Sequence, residues 1–185
     1  MKQLKMVRYS APVLPRALPD GWSYAVYGGT EAEIADWIAI CREGLFGAGC
    51  NRESFAKYIE RWRDLNPCED LLFVLDQAGQ RVATTAYVKY ADGSGYLHCV
   101  GSLPQIRSKG VGHAMLSHAL EIGEARGTPY TTLTTDDFRL AAIKTYLDAG
   151  FLPVLWEDPE SDMRARWDKV LAELKYPQVK YMDEI

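Results

Sequence analysis

The run Leu103-Pro104-Gln105-Ile106-Arg107-Ser108-Lys109-Gly110-Val111-Gly112 constrains this chain more than any other stretch. The apolar segment before it, Tyr96 to Leu103, reads as a strand. After it, Val111, Ala114, Met115, His118, Ile122 and Ala125 are apolar apart from the histidine, and they recur at the spacing of one helix face. The run is therefore a basic, glycine-bearing turn from a strand into a helix. Such a turn gathers free backbone N–H groups at the positive end of a helix dipole, which suits an anionic phosphate. Its glycines let a ligand approach the backbone with no Cβ in the way.

The rest of the chain bounds the setting of that turn. With 185 residues it can build one domain with a sizeable core, and residues 1–185 are read as a single domain. A make-up of 48% hydrophobic and 25% charged residues is that of an ordinary soluble protein. The formal net charge of -4 argues against nucleic acid as the main partner, so the basic residues of the turn form a local patch. No apolar run approaches the ~18 residues of a membrane span, and the first 20 residues lack the apolar core of a signal peptide. The cytoplasm is the expected compartment. Cys41, Cys50, Cys68 and Cys99 form no C-x-x-C pair and no zinc-site spacing, so reduced thiols and no metal are expected.

Taken in order, residues 1–20 read as an extended lead-in, because Pro12, Pro15 and Pro19 disfavour regular pairing. Trp22 to Tyr27 reads as a strand, and Thr30 with Glu33 forms a capping box for a helix over 31–45. A second amphipathic helix spans 52–65 and stops at Asn66-Pro67. Strands follow at Leu71 to Asp76 and Arg81 to Tyr90. Asp92-Gly93 then turns the chain into Tyr96 to Leu103 as the antiparallel partner. The central helix covers 109–126 and ends at Gly127. Beyond it come a strand at Tyr130 to Thr135, a helix over 138–149 capped by Asp136 or Asp137, and a strand at Phe151 to Trp156. A helix over 160–174 and a polar tail after Pro177 complete the chain. Hairpins combined with one crossover predict an α+β fold on a mixed sheet rather than a doubly wound one.

Two signatures in this order resemble the GNAT superfamily of acetyl-CoA-dependent N-acetyltransferases. The first is Pro104, Arg107, Gly110 and Gly112; the second, some thirty residues on, is Ala142-Ile143, Tyr146 and Gly150-Phe151. The resemblance is firm over 96–156 and looser over the β-α-α-β-β start. It implies a three-layer α/β/α arrangement on a mixed, mostly antiparallel sheet, with a V-shaped split between its central strands.

It also implies roles for particular residues. The backbone from Ser108 through Lys109, Gly110, Val111 and Gly112 to His113, with Arg107 beside it, would hold the pyrophosphate of coenzyme A. Backbone groups of Gly101, Ser102 and Leu103 would meet the pantetheine arm, with Gly101 or its neighbour touching the acetyl carbonyl and stabilising the oxyanion. Tyr146 would protonate the departing thiolate. Arg139 stands where many members carry an asparagine that binds pantetheine; it either contacts the coenzyme differently or is a solvated helix residue. No glutamate occupies the strand position where some members place a general base. His98 offers an imidazole there, equally readable as a base and as a core histidine. Cys99 reads as a buried structural thiol, and His118 as packing.

The implied activity is direct transfer of an acetyl group from acetyl-CoA to a primary amine, with no metal. A small-molecule amine is favoured over a protein acceptor. Trp37, Phe46, Tyr58 and Trp62 are candidates for the acceptor wall, and Glu31, Glu43 and Glu53 for recognising a cation. The alternative is a non-catalytic acyl-CoA-binding or regulatory module on the same fold. Exposed aromatics or the 160–174 helix could serve a homodimer. A Rossmann or P-loop turn fits poorly, because G-x-G lacks the further x-x-G and no G-K-[ST] follows.

Overall fold

The computed structural model describes residues 2–155, 161–176 and 179–183. Strands Leu4–Tyr9 (β1), Ser23–Val26 (β2), Leu71–Leu75 (β3), Arg81–Lys89 (β4), Gly95–Ser102 (β5), Tyr130–Thr135 (β6), Leu152–Leu155 (β7) and Met182–Asp183 (β8) form one eight-stranded sheet. Its order is β2-β3-β4-β5-β6-β1-β7-β8. Neighbours run antiparallel except β5 with β6 and β7 with β8. The helices are Glu31–Cys41 (α1), Arg52–Phe55 (α2), Pro67–Asp70 (α3), Val111–Ala125 (α4), Leu140–Asp148 (α5) and Met163–Glu173 (α6). The expected α+β class on a mixed, mostly antiparallel sheet is what the chain adopts.

Two apolar layers hold the sheet. Ile34, Trp37 and Ile40 of α1, with Phe55 and Ile59, pack on Phe73, Ala86 and Val88. A second cluster joins Leu116, Ala119 and Leu120 of α4, Ile143 and Leu147 of α5 and Trp167 of α6 to Leu4, Met6, Leu97 and Leu133. Each fully buried side chain such as Phe73 contributes roughly 3 kcal/mol of transfer free energy.

The capping box forms as expected: Glu33 N–H donates to Thr30 Oγ1 at 3.3 Å, and Thr30 N–H donates back to the Glu33 carboxylate at 3.1 Å. Beyond their α-helical parts, α1 and α2 widen into π-helical turns, Arg42–Phe46 and Ala56–Glu60. Asn66-Pro67 opens α3 instead of only ending the preceding helix, with Asn66 accepting the Cys68 N–H and proline at the first helical position.

The largest departure is at the start of the chain. Leu4–Tyr9 is no loose lead-in but a strand between β6 and β7, antiparallel to both. The prolines all follow it, and Leu4, Met6 and Val7 are fully buried. Arg8, 6% exposed, is tolerated there because it is fully engaged. It donates to Ala149 O at 3.0 Å and Ala11 O at 2.7 Å, and pairs with Glu124 at 3.1 Å. Asp136 and Asp137 do not cap α5, whose N-cap is Arg139; they pair with Arg139 and Arg166 instead. Trp156, Glu160 and Pro177, named in the expected last strand, last helix and tail, lie outside the described residues.

One buried hydroxyl pins the middle of the sheet. Tyr87 Oη lies 2.7 Å from both Thr128 Oγ1 and Thr131 Oγ1. A Cβ at Gly95 or Gly123 would stand 2.2 or 2.1 Å from that oxygen, so both glycines are required by the close approach.

Candidate active site

The parallel pairing of β5 with β6 consists of Gly95 with Thr131 and Tyr96 with Thr132. Beyond Tyr96 the two strands part, which opens the expected V. On its other side β5 stays laddered to β4 but carries a bulge, where the register shifts between Thr84 and Ala86. The bulge centres on Cys99, which takes φ 51. That left-handed conformation is uncommon for a residue with a side chain. It puts His98 and Cys99 on the same side of the strand, toward α1 and α2.

The edge groups facing the gap can be worked out from the ladder. Leu103 N–H donates to Val82 O at 2.9 Å, so it is spent on β4. Antiparallel alternation gives Gly101, paired with Thr84, the same phase, and turns the N–H and C=O of Ser102 toward the gap. Of the three residues expected to meet a ligand arm, Ser102 is the one whose polar backbone faces it.

At the wide end of the V the chain makes its turn into α4. Pro104–Ile106 forms a 3-10 turn, Ser108 takes φ 63 and Gly110 takes φ 77 as the N-cap of α4. Among the described residues, no backbone or side-chain acceptor engages the N–H groups of residues 108–113. A row of orphan donors ending at a helix N-terminus, with Arg107 and Lys109 exposed beside it, fits a diphosphate. Gly112 has open space where a Cβ would stand. His113 points instead to Asp148, its Nε2 3.3 Å from Oδ2, in a cluster that Lys144 shares at 2.7 Å.

Tyr146 approaches the V from α5. It is 6% exposed, packs edge-on to Phe151, and its Oη has no hydrogen-bond partner among the described residues. Burial pushes its phenol well above the usual range, with Arg139 opposing and Tyr96 adding to the rise. The hydroxyl is therefore protonated at neutral pH, which is the state an acid needs.

His98 is placed as a packed, neutral histidine. It stacks on Trp62 with ring centres 3.9 Å apart, and its Nε2 lies 2.8 Å from Tyr58 O, so that nitrogen carries the proton and donates. Burial holds its pKa down to about 4. Cys99 is buried with its thiol pushed up, and His118 stacks on Tyr24 at 4.0 Å. Trp37 belongs to the core, whereas Phe46, Tyr58 and Trp62 form a half-buried row beside His98.

Arg139 is the residue sequence reasoning placed least well. Its guanidinium donates to Gly44 O at 3.0 Å, Leu45 O at 2.6 Å and Asp136 Oδ2 at 2.9 Å. It bridges the two sides of the V from within the protein. Gly44 proves equally placed: a Cβ there would lie 2.9 Å from both N and O of Ser102.

The family model described as the acetyltransferase (GNAT) family matches residues 32–151, which takes in nearly all of α1, the V, the turn into α4 and Tyr146. This chain belongs to the GNAT acetyltransferase family. It is 27% identical over 150 residues to the mycothiol acetyltransferase of Beutenbergia cavernae, covering 78% of this chain and 50% of that protein. The chain thus spans half the length of that curated relative. Among solved structures, a GCN5-related N-acetyltransferase from Sphaerobacter thermophilus superposes with a TM-score of 0.67 at 21% identity, covering 83% of this chain and 49% of that one. A GCN5-related N-acetyltransferase from Kribbella flavida gives 0.58 at 22% identity, over 83% and 55%. These likenesses establish the GNAT fold. Among the described residues, no group of three His, Cys, Asp or Glu side chains could hold a metal ion, and no helix is long and apolar enough to cross a membrane.

Proposed function

We propose that this GNAT domain transfers an acetyl group from acetyl-CoA to a primary amine by direct attack in a ternary complex. The observation that carries the reading is the row of N–H groups at 108–113 that have no acceptor among the described residues, set at the wide end of a split whose edge exposes Ser102. The N–H row and the dipole of α4 bind the diphosphate, with Arg107 and Lys109 adding charge. When bound, the coenzyme supplies an activated thioester. The edge N–H of Ser102 and the bulge at Cys99 meet its carbonyl and hold the negative charge that develops on oxygen. As the C–S bond breaks, Tyr146 gives its proton to sulfur.

The amine must also lose a proton. His98, neutral and donating to Tyr58 O through Nε2, keeps Nδ1 as its proton acceptor, but burial holds its pKa down to about 4 and makes it a weak base for the amine. The half-buried row of Phe46, Tyr58 and Trp62 gives the acceptor side an aromatic wall suited to a small organic amine. The similarity to a mycothiol acetyltransferase supports acetyl transfer; at 27% identity its acceptor is not carried over. A binding-only module is the second reading, favoured by the low basicity that burial gives His98.

The test is a calorimetric titration with acetyl-CoA, repeated on Gly112→Glu. Its carboxylate would face the diphosphate in the first turn of α4. Binding should weaken at least about tenfold. Equal affinity in the variant would remove the turn from the coenzyme site. Free thiol released on adding an amine mixture separates enzyme from module.

A further inference from the structure

Residues 42–46, the π-helical end of α1, lie across the open part of the V, and arginines from both of its sides take three successive carbonyls there. Arg107, in the turn before α4, reaches Glu43 O at 3.5 Å. Arg139, between β6 and α5, donates to Gly44 O and Leu45 O at 3.0 and 2.6 Å. Carbonyls at a helix C-terminus carry partial negative charge, and the planar fork of an arginine can serve two of them at once. Asp136 holds the same guanidinium through Nε.

The inner side of this turn meets β5 backbone to backbone. Gly44 sits against the N and O of Ser102 with no room for a Cβ between them. One step along, a Cβ on Gly101 would meet Ile40, Cys41 and Leu45 at ordinary van der Waals distances of 3.7 to 4.0 Å, so α1 and its π-helical end line that face closely. The clamp therefore sets a close wall at the strand edge where the thioester carbonyl is read to lie.

We propose that Arg139 is a positioning residue that clamps residues 43–45 onto Ser102 and thereby restricts this site to short acyl groups, acetyl rather than medium-chain. This rests on the coenzyme reading above. Arg139 acts through the main chain of α1 and need not touch the ligand. Where many family members carry an asparagine, this arginine shapes the cleft from outside. Gly44 supplies the other half of the device, since any side chain there would wedge the wall away from the strand.

The experiment reads a ratio, which a general loss of folding or binding does not move. Wild type, Arg139→Gln, Gly44→Ala and the double variant are titrated calorimetrically with coenzyme A, acetyl-CoA and octanoyl-CoA. Wild type should favour acetyl-CoA over octanoyl-CoA by at least about tenfold, and each single variant should bring that preference within about threefold. The double variant should move it no further than either single change, because both act on one contact. A wild-type ratio near one, an unchanged ratio in Arg139→Gln, or fully additive shifts would overturn the clamp. Wild type that binds none of the three ligands would overturn the coenzyme reading itself. If Gly44→Ala does not fold, as melting curves would reveal, the ratio in Arg139→Gln decides alone.

Discussion

Tyr87 and Thr131 meet hydroxyl to hydroxyl at 2.7 Å, and Thr131 is also the β6 partner of Gly95, where the V begins. The vertex of the cleft is thus fastened by a buried phenol that reaches across from β4.

That fastening predicts opposite outcomes for two glycines of one helix. Gly123→Ala would drive a Cβ to 2.1 Å from Tyr87 Oη and should destabilise by about 2–3 kcal/mol. Gly112→Ala meets nothing within 4 Å and should stabilise by roughly 0.5–1 kcal/mol through helix propensity. Urea unfolding of the two variants checks the signs; a neutral Gly123→Ala would mean the tyrosine has room to move.

Buried His98 makes stability depend on pH. Its pKa in the folded chain is about 4 against about 6.5 unfolded, so the unfolded chain binds the proton more readily. The contribution is complete above the unfolded value and is lost as pH falls from there toward 4, with an upper size of about 3 kcal/mol. Denaturant midpoints of wild type and His98→Asn, followed from pH 7 to 4.5, should converge on acidification. Parallel curves would show that His98 is solvated.

Tyr146→Phe should lower kcat roughly 10- to 100-fold while coenzyme affinity holds, because the hydroxyl is asked only to deliver a proton. Steady-state rates beside calorimetry make the comparison. Full turnover in the variant would remove Tyr146 from the chemistry and leave it as core packing against Phe151.

The Arg8–Glu124 pair should respond unequally to loss of its two ends. Arg8→Ala strands the carboxylate and the carbonyls of Ala149 and Ala11, and should cost about 3 kcal/mol. Glu124→Gln keeps shape and most hydrogen bonding and should cost about 1 kcal/mol. Chemical denaturation that found equal costs would show that the salt link alone matters.

The parts of this fold legible in the sequence are those whose cause is local. The turn into α4 declares itself because Gly110 can take the left-handed N-cap that opens the helix, and the Thr30–Glu33 box because its bonds span three residues. The features that escape reading are set by tertiary contact. Cys99 in the left-handed region carries no sequence signature, since the bulge is imposed by pairing with β4. The widening of α1 at Arg42–Phe46 coincides with the close approach of Gly44 to Ser102, a contact between residues 58 apart in the chain. The six residues of β1, four of them apolar, are broken by Lys5 and Arg8 and run into a proline-rich stretch, and what makes them a strand is two neighbours more than a hundred residues away.

That last arrangement orders the chain's history as it is made. The segment Leu4–Tyr9 is made before its partners Tyr130–Thr135 and Leu152–Leu155, which follow more than a hundred residues later, so it must wait unpaired while the intervening strands and helices are synthesised.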